Sequence, residues 1–189
     1  RELKKRYFMD SENWIVEQGS VLDEQYLDDL PSFDVVYSWG VLHHTGAMWQ
    51  AMGNLIKKVN EKGYFFISIY NDQGRTSRFW CWVKWLYNYL PNFLRWPLTT
   101  LCLMGCWGPM ILSDLMRGQP FKSWREYGKK RGMSPWHDVV DWVGGYPFEV
   151  AKPEEVFEFC CQHGFVLKKL LTKGGGLGGN QFVFVNNKK

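Results

Sequence analysis

The sequence predicts an α/β domain interrupted by a helical insertion. Three observations lead there. Residues 14–70 alternate strand-like apolar runs with a helical-period segment, residues 78–131 are helical in tendency and crowded with tryptophan, and residues 153–186 return to a helix and two strand-like runs. With 189 residues, 46% of them apolar, and eleven Trp, nine Tyr and thirteen Phe, the chain can fill one full core, which excludes disorder. The 23 Lys and Arg against 19 Asp and Glu leave a formal charge of +4, too mild to indicate nucleic acid. Cys81, Cys102, Cys106, Cys160 and Cys161 show neither a disulfide framework nor metal-ligand spacing, which suits reduced thiols in a cytoplasmic protein.

Residues 1–8 are helical in pattern and end at Asp10-Ser11; the helix reads as already under way at Arg1, as in a fragment of a longer chain. Residues 14–19 form a short β-prone run closed by Gly19, and an acidic stretch at 23–30 leads to Pro31. Residues 33–39 are nearly continuously apolar, the pattern of a strand buried on both faces. Gly40 breaks that run, and Ala47, Met48, Ala51, Leu55, Ile56 and Val59 follow at helical spacing. Glu61-Lys62-Gly63 reads as a turn before a second buried strand at 64–70, ended by Asn71 to Gly74.

In the insertion, Pro91, Pro97, Pro109 and Pro120 mark helix breaks, and residues 133–148 read as an irregular aromatic loop. Residues 96–113 hold no charge over 18 positions, the short limit for a membrane span. Pro97, Gly105, Gly108 and Pro109 within that stretch argue against spanning and leave core packing, a lid over an apolar pocket, or an interfacial helix. Pro153 then opens a helix that ends at Gly164. Strands at 165–172 and 181–186 follow, joined by a glycine-rich turn, as in an antiparallel hairpin. The glycines at 174–179 are followed by a strand and not by a helix N-terminus, so they do not read as a phosphate cradle.

The string Phe33-Asp34-Val35-Val36-Tyr37-Ser38-Trp39-Gly40-Val41-Leu42-His43-His44 resembles the fourth-strand motif of class I S-adenosylmethionine-dependent methyltransferases. The Gly63-Tyr64-Phe65-Phe66-Ile67-Ser68-Ile69-Tyr70 strand is similar to the strand that follows it, and the terminal hairpin fits in order. The branch it resembles contains quinone-biosynthesis methylases and many small-molecule methyltransferases. The resemblance covers roughly residues 1–72 and 148–189, a partial Rossmann-like domain, with 73–147 as a tryptophan-rich insertion and substrate lid. It implies S-adenosylmethionine as co-substrate, a small-molecule acceptor methylated at oxygen, and a cofactor loop with two strands lying upstream of residue 1. It also implies the strand order 3-2-1-4-5-7-6, so residues 14–19 and 33–39 should stand apart across an empty slot unless they re-pair.

The resemblance assigns Ser20, Val21 and Leu22 to the adenine side, and Ser38, Trp39, Gly40 and His43 to the methionine side. Relatives carry an acidic residue where Ser20 stands. Tyr70, Asn71, Trp136 and Tyr146 would line the acceptor side, with Trp39 or Tyr70 packed against the sulfonium. His137 and Asp138, in the aromatic segment, are the candidates for a base at an acceptor hydroxyl, with a structural hydrogen bond as the other reading. His43 and His44 are adjacent, with no Cys or carboxylate at ligand spacing, so no metal is expected. A second class of function fits the same residues: a non-catalytic module that holds a lipid or protein partner through the aromatic insertion. Residues 96–113 are the segment for any peripheral membrane contact.

Overall fold

The computed structural model describes residues 2–7, 13–174 and 178–187. Two short helices come first, α1 (Glu2–Tyr7) and α2 (Glu24–Asp28). The apolar run then forms β1 (Phe33–Trp39), followed by a 3-10 turn at Leu42–His44, α3 (Met48–Ile56) and β2 (Val59–Tyr70). The helical segment comprises α4 (Arg75–Tyr89), α5 (Asn92–Met116), α6 (Lys122–Arg131) and α7 (Pro135–Gly144). Helix α8 (Pro153–Gln162) and the hairpin strands β3 (Phe165–Leu171) and β4 (Gly179–Asn186) complete the fold.

The four strands make one sheet in the order β1-β2-β4-β3. β1 and β2 run parallel, joined by the crossover through α3, while β4 is antiparallel to both β2 and β3. This is the order the resemblance implies for the fourth, fifth, seventh and sixth strands. The sheet packs on α3 and α8 around Phe65, Ile67, Ile69, Phe182 and Phe184, all fully buried. Each such side chain contributes roughly 1.5–3 kcal/mol through the apolar area removed from water. A second cluster, Trp80, Val83, Trp107, Val139 and Val143, holds α4, α5 and α7 together. One end of the central β2–β4 pair is pinned by Asn186, whose buried Nδ2 donates to Val59 O at 2.9 Å and to Asn60 O at 3.1 Å.

Five expectations are corrected. Residues 14–19 form no strand and join no ladder among the described residues; the absence of a Val16–Val36 pairing agrees with the empty slot, and the side of β1 away from β2 has no partner strand there. β1 is buried on one face only: Val36 and Ser38 point into the core, while Val35, Tyr37 and Trp39 on the alternate face are exposed. Glu61-Lys62-Gly63 is no terminating turn but an irregularity inside β2, absorbed where the register jumps between Phe33↔Val59 and Val35↔Tyr64, with Lys62 at φ 59°. α5 continues through Pro97 and Pro109. Finally, residues 135–144 are the helix α7, not a loop. Ser134 caps it, accepting from His137 N, Pro135 occupies its first turn, and Pro135, Val139 and Val143 bury one face at four-residue steps. The expected stop at Asp10-Ser11 lies outside the described residues, as does the middle of the hairpin turn, residues 175–177.

Candidate functional site

The carboxyl ends of β1 and β2 converge with the segment that follows α7. Asn71 bridges to Ala151, whose N–H donates to Tyr70 O at 3.0 Å, and Glu149 N donates to His43 O at 2.9 Å. The Glu149 carboxylate accepts from Met48 N at 3.0 and 3.2 Å, which satisfies an otherwise open amide at the start of α3. His44 Nδ1 donates to Pro147 O at 2.7 Å. Four backbone and side-chain ties therefore hold residues 147–151 against both strand ends.

Inside these ties sits a nest of aromatic and titratable groups. The His43 ring lies 3.8 Å from the Tyr70 ring and 4.6 Å from that of His44. Trp142 and Phe148 stand 5.4 and 5.3 Å from Tyr70, and Trp80 backs Trp142 at 5.5 Å. Lys84 reaches in from α4: its Nζ is 3.9 Å from the Trp142 ring centre and 4.8 Å from that of Phe148, and it donates to Trp142 O.

Burial sets the electrostatics. His43 is 1% exposed, and neither ring nitrogen has a hydrogen-bond partner among the described residues. Desolvation, reinforced by His44, lowers its pKa to about 3, so the imidazole stays neutral; the nearby Ser68 main chain favours the charged form without completing a hydrogen bond of good geometry. Lys84 is fully buried, and desolvation lowers its pKa to about 7 despite the pull of Asp141. Burial, then Asp141, raises the Tyr70 phenol, which stays protonated and neutral. A group that titrates near neutrality is the best matched to take and return a proton there, and in this nest that group is Lys84.

The structure brings together Ser38, Trp39, Gly40, His43, Tyr70 and Asn71 at the strand ends. Ser38 is buried, while Trp39 and Gly40 are exposed. Gly40 has φ 74°, a left-handed conformation that suits glycine, and its Cα faces open space. Asn71 Oδ1 accepts from Asn180 Nδ2 at 3.0 Å, so that side chain is tied to β4. Ser20 is exposed, with Oγ accepting from Leu22 N at 3.2 Å, and Val21 and Leu22 pack half-buried on the main core. Asn54 Nδ2 donates to Val21 O at 3.1 Å and fixes that turn on α3.

Trp136, His137 and Asp138 lie instead in the first turn of α7. His137 is exposed, its Nδ1 2.7 Å from Ser134 Oγ. Asp138 accepts from Tyr127 Oη at 2.8 Å and from Arg131 Nε at 3.2 Å, tying α6 to α7. Tyr146 is exposed in the segment after α7. Lys84, Trp142 and Phe148 were missed by sequence reasoning. The signal for Lys84 was present: it lies four residues after Trp80 and one after Val83, a lysine on the apolar face of α4.

No family model and no curated protein matches this sequence. Among solved structures, the chain is similar to PKMT2 from Rickettsia typhi, solved in complex with AdoHcy, at 13% identity and a TM-score of 0.52, covering 92% of this chain and 39% of that one. It also aligns with an O-methyltransferase family protein from Burkholderia thailandensis at 10% identity and a TM-score of 0.44, covering 90% and 35%. The chain thus spans less than two fifths of the length of either protein.

Proposed function

We propose that this chain, which has the class I S-adenosylmethionine-dependent methyltransferase fold, holds the acceptor side of a methyl-transfer site and serves transfer from S-adenosylmethionine to an oxygen of a small molecule. One observation carries the reading: a buried amine poised near neutrality stands among aromatic walls at the carboxyl ends of two parallel strands, where open α/β sheets bind ligands. The residues present fit part of the co-substrate. The exposed Trp39 ring and the open side of Gly40 suit close approach of a sulfonium chain, and Val21 and Leu22 offer apolar surface beside the polar Ser20.

When bound, S-adenosylmethionine supplies an electrophilic methyl group. The chain's own task is at the acceptor. An acceptor hydroxyl has to lose its proton, and neutral Lys84 takes it at Nζ. Trp142, Phe148 and Tyr70 shield the amine from water, while neutral His43 offers a ring nitrogen as hydrogen-bond acceptor.

The test uses the full-length polypeptide with methyl-tritiated S-adenosylmethionine and a panel of small hydroxylated aromatic compounds. The expected result is label in an extractable product, with a rate that rises with pH through about 7, and loss of that limb in Lys84→Met. If His137→Ala abolishes turnover while Lys84→Met keeps the wild-type pH profile, the base belongs to His137. Absence of any S-adenosylmethionine or AdoHcy binding removes the enzymatic reading and leaves that of a binding module.

A further inference from the structure

The outer face of α5 has a composition that folding alone does not explain. Its inner face is used: Thr99, Trp107 and Asp114 are buried, and Cys102, Cys106 and Ile111 pack on the helical cluster. The opposite face should then be polar, as on any helix that faces water. Instead Phe93, Pro97, Leu101, Met104, Leu112 and Leu115 follow one another around Gly108 at three- and four-residue steps, all exposed. Phe93 and Leu101 are 75% and 62% exposed. An apolar stripe of this length on a solvent-facing helix marks a contact surface.

Charge identifies the occupant. Residues 73–147 hold ten Lys and Arg against four Asp and Glu, whereas the remainder holds thirteen against fifteen. The positive charge is concentrated on the segment that carries the stripe. Arg117 and Lys122 follow the end of α5, and Lys129, Lys130 and Arg131 close α6. We propose that α5 lies in the surface of an anionic lipid bilayer, its outer stripe among the upper acyl chains and Lys129 and Lys130 of α6 on the lipid headgroups.

A spanning role suits the structure less well. At 1.5 Å per residue, the 25 residues of α5 extend ~37 Å, long enough to cross. One side of the helix, however, is committed to packing on α6 and α7, and Asp114 is buried there, accepting from Ser123 N at 2.7 Å and Ser123 Oγ at 2.9 Å. A helix held along one side by a folded cluster rests on a bilayer. This proposal is independent of methyl transfer.

The test is co-sedimentation of the chain with vesicles of phosphatidylcholine alone and of phosphatidylcholine mixed with phosphatidylglycerol. Binding is expected to the mixed vesicles and to weaken with salt. Phe93→Ser with Leu101→Ser should lower the partition coefficient at least about tenfold, since each removes a buried apolar side chain from the bound state. Lys129→Gln with Lys130→Gln, exposed positions remote from both cores, should weaken binding to the mixed vesicles only. No sedimentation with either vesicle overturns the proposal, as does partitioning that neither pair of substitutions changes. A vesicle-free dimer dissolved by the α5 substitutions assigns the stripe to a second copy, and resistance to alkaline carbonate extraction makes α5 a spanning helix; each outcome also overturns it.

Discussion

Replacing Lys84 by Met gives the most direct test of the buried nest. The side chain is fully buried, and its pKa falls from 10.5 to about 7. At ~1.4 kcal/mol per unit, that shift is ~5 kcal/mol in favour of the neutral amine in the fold. The sign follows from linkage. Between about 7 and 10.5 the unfolded chain holds a proton that the folded chain has released, so stability rises with pH across that window. Below about 7 both states carry the charge, and the folded state bears the whole desolvation penalty. Contacts with the Trp142 and Phe148 rings return ~1–2 kcal/mol of it. Methionine keeps most of the volume without the charge but leaves Trp142 O without its donor, a loss of ~1 kcal/mol. Lys84→Met is therefore expected to stabilise the protein by ~2 kcal/mol at acidic pH, with the gain shrinking to nothing or reversing in alkaline buffer. Urea unfolding of both proteins at pH values on either side of the window measures this. A wild-type-minus-variant difference that does not change with pH would refute the reasoning, because it would mean that Lys84 stays charged throughout.

Further expectations rest on single contacts. Glu149→Gln weakens the cap on the first amide of α3 and should lower stability by ~1 kcal/mol in urea titration. Asn186→Ala strips Val59 O and Asn60 O of a buried donor and should lower stability by ~1–3 kcal/mol, read by thermal unfolding. Gly40→Ala meets open space but has to hold φ 74°, so a loss of ~1 kcal/mol is expected from backbone conformation alone; no loss at all would mean that the strand end relaxes. Asp138→Asn should loosen the tie between α6 and α7 and lower thermal stability while leaving vesicle binding intact.

Period and punctuation made the sheet legible. The run at 33–39, the helix behind it, the 64–70 strand and the terminal hairpin were each marked by apolar spacing and by glycine or proline at the boundaries, and all four are present, although α3 ends at Ile56 and β2 already begins at Val59. What failed was environment. A continuous apolar run implies burial on two faces, yet among the described residues β1 has a neighbouring strand on one side and one face that nothing covers, so Tyr37 and Trp39 face outward. Residues 135–144 looked irregular because β-branched and aromatic residues are weak helix formers; packing of Val139 and Val143 outweighs that preference. Residues 14–19 have strand propensity without a partner strand among the described residues, and propensity alone does not make a ladder. In the site, the strand-end residues were legible from the motif, but the company they keep was not. Lys84, Trp142 and Phe148 come from segments that only the tertiary fold brings to His43 and Tyr70.

The placement of the helical segment between β2 and α8 also governs the order in which the molecule assembles. β2 finds its antiparallel partner in β4, with Tyr70 opposite Gly179, so the central ladder closes a loop of roughly a hundred residues. The equilibrium penalty of that long loop is small, because each doubling of length adds only ~0.6 kcal/mol. Its kinetic weight is larger. Pairings distant in sequence form slowly; α5, α6 and α7 meet in succession, and α4 closes on α7 over a separation of 58 residues, shorter than that between β2 and β4. The helices can gather around Trp80, Trp107 and Val143 before the sheet closes, and their gathering shortens the path that β4 has to search. The β2–β4 ladder, which alone spans the whole insertion, is then expected to close after the helices have gathered, while β1–β2 and β3–β4 pair locally.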